Sequence, residues 1–207
     1  KSIELLTESI RLNNNSIKPY YLKGTALRLL GKPDESLEYF KKSAELAPDV
    51  PEVLNSYGVA LASVEKFEES IKYYKEAIKL DHNFADSYSN LATALQMSKN
   101  YTEALEIYHK ALELNPNNYL TFSNLASLYQ SLGEDEKTFS FFKKSLELNP
   151  NDSEIYNNMG IAHGEFGRIE KAVEFYKKAL EMNPKKSKFF RHLANTGKLD
   201  LDEPIVN

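Results

Sequence analysis

The chain has 207 residues, 26 basic and 30 acidic, for a net charge of −4, a balance that gives no electrostatic footprint for a nucleic-acid backbone. Hydrophobic residues make up 42% of it, enough to bury a core, and no run approaches the ~18 consecutive apolar residues that a membrane-spanning helix needs. The absence of cysteine excludes disulfides, thiol catalysis and thiolate metal sites, and it leaves the compartment open.

Taken from its start, the chain repeats itself. "SIELLTESIRLNNNS" from Ser2 aligns with "SLEYFKKSAELAPDV" from Ser36, so residues 1–16 read as a half unit, the second helix of a helical hairpin. Its apolar residues Ile3, Leu6 and Ile10 are expected to lie half covered, because a repeat unit does not bury its apolar face alone. This phase predicts an array entered in mid-unit and allows end-to-end self-association through the half unit. The alternative is a half unit serving as a cap. No secretory signal is visible.

Five full units follow, at 17–50, 51–84, 85–118, 119–152 and 153–186, each predicted as two helices. The first helix of each carries a bulky residue on a 34-residue grid, Tyr20, Tyr88, Phe122, Tyr156 and Phe190, with Leu54 as the exception. Four residues later comes a small one, Gly24, Gly58, Ala92, Ala126, Gly160 and Ala194, where a larger side chain would hold two helices apart. In the third unit Tyr88, Leu91, Ala92 and Leu95 recur at the three- and four-residue steps of one helical face.

The second helices have their own columns: small at Ser36, Ser70, Ala104, Thr138 and Ala172, and bulky at Phe40, Tyr74, Tyr108, Phe142 and Tyr176. Gly31, Gly133 and Gly167 fall at the turn between the helices, where a left-handed residue ends a helix without steric cost. Glu65 and Lys99 hold that place in the other two units, so those turns are expected to close differently. Pro48, Pro116, Pro150 and Pro184 stand just past the second helices and stop them, lacking an amide donor and disfavouring helical geometry in the residue before. Asn14 and His82 occupy the same column elsewhere. A trailing helix is predicted over 187–197, and 198–207 reads as a tail or linker.

The repeat length, the paired helices, the small and aromatic columns and the late proline resemble the tetratricopeptide repeat family across residues 1–197. The resemblance implies an all-α solenoid, a right-handed superhelix of antiparallel helix pairs whose first helices line the concave side. It also implies a non-catalytic scaffold for protein interactions, binding an extended peptide segment in that groove. Two positions depart from the pattern. Lys23 stands in a column otherwise held by Tyr57, Leu91, Leu125, Met159 and Leu193, and His163 stands where other units have Leu27, Leu61, Leu95 and Tyr129. The final stretch "FRHLANTGKLDLDEPIVN" resembles the segment joining such repeats to glycosyltransferase-like or sulfotransferase-like catalytic domains. The alternative function is therefore a substrate-recognition arm of a larger enzyme.

By the same resemblance, three columns point into the groove. They read Tyr21, Asn55, Ser89, Ser123, Asn157, Arg191; then Leu22, Ser56, Asn90, Asn124, Asn158, His192; then Thr25, Val59, Thr93, Ser127, Ile161, Asn195. Asn90, Asn124 and Asn158 form a ladder of amides, each offering two donors and an acceptor to a peptide backbone. Helices pack ~8–10 Å apart and an extended chain advances ~3.3 Å per residue, so one asparagine meets a ligand about every third residue. The alternative is a solvated helix face. The candidate peptide-binding set is Asn90, Asn124, Asn158, Asn55, Asn157, Tyr21, Thr93, Ser127, Arg191, His192 and Lys188. Glu52, Asp86 and Glu154 disfavour an acidic ligand terminus over most of the groove, whereas Lys188, Arg191 and His192 could accept one at its end.

Catalysis has little support. His82, His109, His163 and His192 fall in four different columns, so no metal-ligand spacing arises, and no metal or cofactor is expected. In "GIAHGEFG", Gly160 belongs to the packing column and Gly167 to the turn column, and the stretch lacks the preceding strand of a phosphate-binding loop. Gly164 belongs to neither column. The expected partner is a protein or peptide, with no nucleic acid and no membrane span.

Overall fold

In the computed structural model, which describes residues 2–197, every regular element is helical. Twelve helices follow in order among those residues: α1 Ser2–Leu12, α2 Ile17–Leu29, α3 Pro33–Leu46, α4 Pro51–Ser63, α5 Phe67–Leu80, α6 Ala85–Met97, α7 Tyr101–Leu114, α8 Tyr119–Ser131, α9 Asp135–Leu148, α10 Ser153–Glu165, α11 Ile169–Met182 and α12 Ser187–Asn195. The segment 198–207, read above as a tail or linker, lies outside the described residues. Packing divides the chain into two compact units, Lys1–Leu114 and Asn115–Asn207. In the first, α2 pairs with α3, α4 with α5 and α6 with α7; in the second, α8 pairs with α9 and α10 with α11.

Each pair closes on the small and bulky columns. A Cβ added at Gly58 would stand 2.6 Å from the Tyr74 ring, one at Gly160 would stand 2.6 Å from the Tyr176 ring, and one at Gly24 would stand 3.0 Å from Phe40. The aromatic of the second helix lies directly against the first helix at its small residue, and its large apolar area supplies much of the pair's burial. Phe40, Tyr74, Tyr108, Phe142 and Tyr176 are all buried. The first-helix aromatics are shallower: Tyr20, Tyr88 and Phe190 are only half-buried. The residue before each is buried in every unit, at Pro19, Val53, Ser87, Thr121, Ile155 and Phe189. No periodicity reveals that column, because its residue types have nothing in common except position.

The turns between paired helices correct one expectation. Glu65 and Lys99 do not close differently: they adopt φ of 61° and 63°, beside 72°, 74° and 74° for Gly31, Gly133 and Gly167. All five turns make the same pair of backbone bonds. Lys66 N–H donates to the Leu61 carbonyl at 3.0 Å and Asn100 N–H to the Leu95 carbonyl at 2.8 Å, as Lys32 N–H does to the Leu27 carbonyl at 3.0 Å. These satisfy carbonyls that the helix end leaves orphaned. The two hydrogen bonds and the docking of the next helix outweigh a cost of about 1–2 kcal/mol for a left-handed residue bearing a Cβ.

The second helices end in the same way with or without proline. The Ala47 amide donates to the Ser43 carbonyl at 3.0 Å before Pro48, and the Asp81 amide to the Ala77 carbonyl at 2.9 Å before His82. A side-chain turn helps redirect the chain at several of these ends, with or without proline: Asn13 Oδ1 accepts from the Asn15 amide at 3.1 Å, Asp81 Oδ1 from the Asn83 amide at 2.9 Å, and Asn115 Oδ1 from the Asn117 amide at 3.3 Å, where Pro116 is present. Asparagine and aspartate make such turns readily. At the start of the first unit Ser9 is exposed, whereas its counterparts Ser43 and Ala77 are buried.

Of the two departures noted in the sequence, Lys23 is buried and is accommodated. Its Nζ donates to Thr7 Oγ1 at 2.7 Å and lies 4.5 Å above the Tyr39 ring, so a hydroxyl and an aromatic face replace its water shell. His163 is buried between two parallel rings, Phe139 at 4.0 Å and Phe175 at 5.0 Å, and its Nδ1 has no hydrogen-bond partner. Burial holds its pKa below the ordinary value, reinforced by Lys171 and Arg168 and opposed by Asp135 and Glu174.

Candidate functional site

The first helix of each pair presents the columns singled out in the sequence as a largely polar strip, built separately in each unit. In the first unit the strip lies on α2, α4 and α6. Tyr21 and Ser56 share a hydrogen bond of 3.1 Å between their hydroxyls. Asn55 Oδ1 accepts from Ser87 Oγ at 3.1 Å and from Asn90 Nδ2 at 3.0 Å. Thr93 donates to the Ser89 carbonyl at 3.0 Å and meets the Tyr108 hydroxyl, which in turn donates to Gln96 Oε1 at 3.1 Å.

The second unit repeats the design on α8, α10 and α12. Asn124 and Asn158 are half-buried. Ser127 donates to the Ser123 carbonyl at 3.2 Å. Asn157 is almost fully buried; its Nδ2 donates to Asn158 Oδ1 at 3.4 Å and its Oδ1 meets His192 Nδ1 at 2.7 Å. Since an amide oxygen only accepts, His192 Nδ1 carries the proton and Nε2 is an acceptor. Burial holds the His192 pKa below its usual value, assisted by Lys188 and Arg191 and opposed by Glu154.

These contacts show what the sequence columns did not. The ladder is partly spent on the fold itself: Tyr21 to Ser56, Asn55 to Asn90 and Asn157 to His192 are each 35 residues apart. The step is one residue longer than the repeat because a residue in one first helix reaches the next column of the following one. Asn55 keeps both amide protons, and Asn90 keeps its carbonyl oxygen and one proton, so each amide retains capacity for a ligand. The strip is thereby pre-oriented, which lowers the entropy lost when it binds.

At the second unit's end, Glu154 receives both Lys186 and Lys188, the latter at 2.6 Å. Burial alone would raise the Glu154 pKa, but the two lysines together hold it below the ordinary carboxylate range. Lys188 is thus engaged with an acid, while Arg191 is exposed. The bases singled out as a set in the sequence are not one free clamp.

Two clefts open on the strips, at equivalent places in the repeat. One, of about 210 Å³, is lined by Tyr21, Thr25, Arg28, Phe40, Asn55, Ser56 and Val59. The other, of about 310 Å³, has Tyr176 among its walls, with Ile161, Gly164, Glu165, Ile169 and His192 around it. Gln130 Nε2 donates to Glu165 Oε2 at 2.7 Å. Sequence reasoning missed Arg28 and Glu165, which lie one helical turn beyond the columns it followed. Among the described residues no helix is long and apolar enough to cross a membrane.

Comparison with known proteins agrees with this architecture. Models described as tetratricopeptide repeat match residues 17–50, 85–118 and 118–185, and one described as TPR repeat matches 60–99. No curated protein matches the chain by sequence. Among solved structures, TTC0263, a thermophilic TPR protein of Thermus thermophilus, is 22% identical over 89% of this chain and 100% of its own, with a TM-score of 0.82. A tetratricopeptide repeat protein from Parabacteroides merdae is 16% identical over 94% of this chain and 76% of its own, with a TM-score of 0.84. YrrB, described as a TPR protein with an unusual peptide-binding site, is 21% identical over 95% of this chain and 100% of its own, with a TM-score of 0.57. With matches spread from residue 17 to 185 and helix pairs closing on the same columns throughout, the chain belongs to the tetratricopeptide repeat family.

Proposed function

We propose that the protein is a non-catalytic interaction scaffold that holds an extended segment of a partner protein against the strips of its first helices. The observation that carries this reading is the state of the asparagines: Asn55 and Asn90 are tied to each other yet keep unused donors, and Asn90 an unused oxygen. A half-buried amide fixed in orientation and still able to bond is suited to a peptide backbone, whose N–H and C=O groups recur regardless of sequence. The description of YrrB as peptide-binding is consistent with this use of the fold. In the first unit Tyr21, Asn55, Asn90 and Thr93 take part; in the second, Asn124, Ser127, Asn157, Asn158, Arg191 and His192, with Lys188 reaching a ligand only in competition with Glu154.

The test is the variant Asn90→Ala/Asn124→Ala/Asn158→Ala against a partner recovered with the intact protein. Each lost hydrogen bond should cost about 0.5–1.5 kcal/mol of affinity, so three should lower it by one to three orders of magnitude in a titration. The control is Lys75→Ala/Lys110→Ala/Lys143→Ala on the exposed faces of second helices, where ion pairs such as Lys110 to Glu113 at 2.9 Å contribute ~0–1 kcal/mol. Loss of the partner in the lysine variant with retention in the asparagine variant would place the binding face on the second helices and refute the proposal.

A further inference from the structure

The third and fifth hairpins differ at one place that changes the chemistry of the strip. In the third, the buried Tyr108 hydroxyl meets Thr93 at 3.0 Å and donates to Gln96 at 3.1 Å. In the fifth, Tyr176 occupies the same column, but the positions of Thr93 and Gln96 are taken by Ile161 and Gly164. Both partners are gone, and the cleft of about 310 Å³ opens there. Packing does not require glycine at 164: a Cβ would meet nothing nearer than Ala172 Cβ at 3.9 Å. Gly164, unaccounted for by either glycine column of the sequence, puts no side chain into this cleft, whereas Arg28 stands at the same place in the equivalent cleft of the first hairpin.

The groups around the cleft define what would enter it. Ile161, Ile169 and the Tyr176 ring supply apolar wall, Glu165 stands beside them, and the neutral polar residues Asn195 and Thr196 complete the rim. Gln130, a neutral amide, is the hydrogen-bond partner of that carboxylate, so its negative charge is not neutralised. His192 also lines the cleft, its Nδ1 proton committed to Asn157, which makes Nε2 a second acceptor. An apolar wall ending in acceptors and a negative charge matches a side chain with an aliphatic stem and a cationic head. Arg191 neighbours His192 on α12 but does not line the cleft, and Lys188 is paired with Glu154.

We propose that this cleft is a subsite for an arginine or lysine side chain of the bound segment, with the stem against Ile161, Ile169 and Tyr176 and the head at Glu165. It rests on the scaffold reading above and adds a side-chain preference to a surface otherwise suited to backbone. Nα-acetyl-arginine amide, Nα-acetyl-norleucine amide and Nα-acetyl-glutamate amide, titrated into the intact protein and followed by amide chemical shifts, test it without any knowledge of the partner. The arginine compound should shift Ile161, Gly164, Ile169 and His192, about threefold more tightly than norleucine, as one exposed ion pair implies. Glu165→Gln should remove that advantage, and Gly164→Gln, which restores the residue found at Gln96, should weaken arginine and norleucine alike. Equal binding of norleucine, binding of the glutamate compound to the same residues, or no shift near the cleft would overturn the subsite. Because none of these probes depends on Asn90, Asn124 or Asn158, its failure would be distinguishable from failure of the scaffold reading.

Discussion

Gly160 and Gly164 lie one turn apart on α10, and alanine at the two positions should act with opposite sign. Replacing glycine by alanine inside a helix stabilises by about 0.5–1 kcal/mol through propensity alone, and this contribution is common to both. What differs is space. At Gly164 the new methyl would find its nearest neighbour at 3.9 Å, an ordinary van der Waals contact, so the propensity gain should survive. At Gly160 it would stand 2.6 Å from two atoms of the Tyr176 ring, and the ring is buried. Overpacking of this kind costs about 1–3 kcal/mol, which exceeds the gain. Gly164→Ala should therefore stabilise by about 0.5–1 kcal/mol, and the two variants should differ by roughly 1–3 kcal/mol, with Gly160→Ala the weaker. Urea denaturation followed by circular dichroism measures both, and equal slopes would show that the unfolding units are unchanged. A neutral or stabilising Gly160→Ala would refute the argument and mean that Tyr176 yields toward the cleft. Gly58→Ala, facing the buried Tyr74 ring at the same 2.6 Å, should be destabilising as well.

Two further outcomes follow from the turns and the buried histidine. Glu65→Gly and Lys99→Gly each remove a left-handed cost of about 1–2 kcal/mol and add ~0.4–1 kcal/mol of unfolded-chain entropy; each should stabilise by about 0.5–1 kcal/mol in a thermal melt, and a loss of stability would show that these side chains make compensating contacts. His163 titrates below its ordinary value of 6.5, so the unfolded chain takes up its proton first: stability should be full above pH 6.5, fall as the pH drops through it, and level off once the folded histidine is also protonated. His163→Leu, the residue at Leu27, Leu61 and Leu95, should flatten part of that slope and remove the cost of an unpartnered buried nitrogen, about 1–3 kcal/mol; denaturation curves compared between neutral and mildly acidic pH decide it.

The repeat length, the helix pairs and the packing of small against bulky columns were legible in the sequence, because each is a local or periodic property. A residue every 34 positions with the same size constraint betrays the copy, and Gly58 against Tyr74 or Gly160 against Tyr176 needed only that constraint. The common turn geometry was less legible: Glu65 and Lys99 break the glycine column, yet they are forced into the same left-handed conformation by hydrogen bonds and by the docking of the next helix, neither of which a residue type announces. The polar strip was half legible. Its columns could be read, but which atoms remain for a ligand depends on the offset between neighbouring first helices, and that offset turns a 34-residue period into a 35-residue ladder of hydrogen bonds. The cleft at Tyr176 lay furthest from view. Its lining has Ile161 and Gly164 where the third hairpin has Thr93 and Gln96, and substitutions that look unremarkable along the chain acquire meaning only when the fold sets them around one side chain.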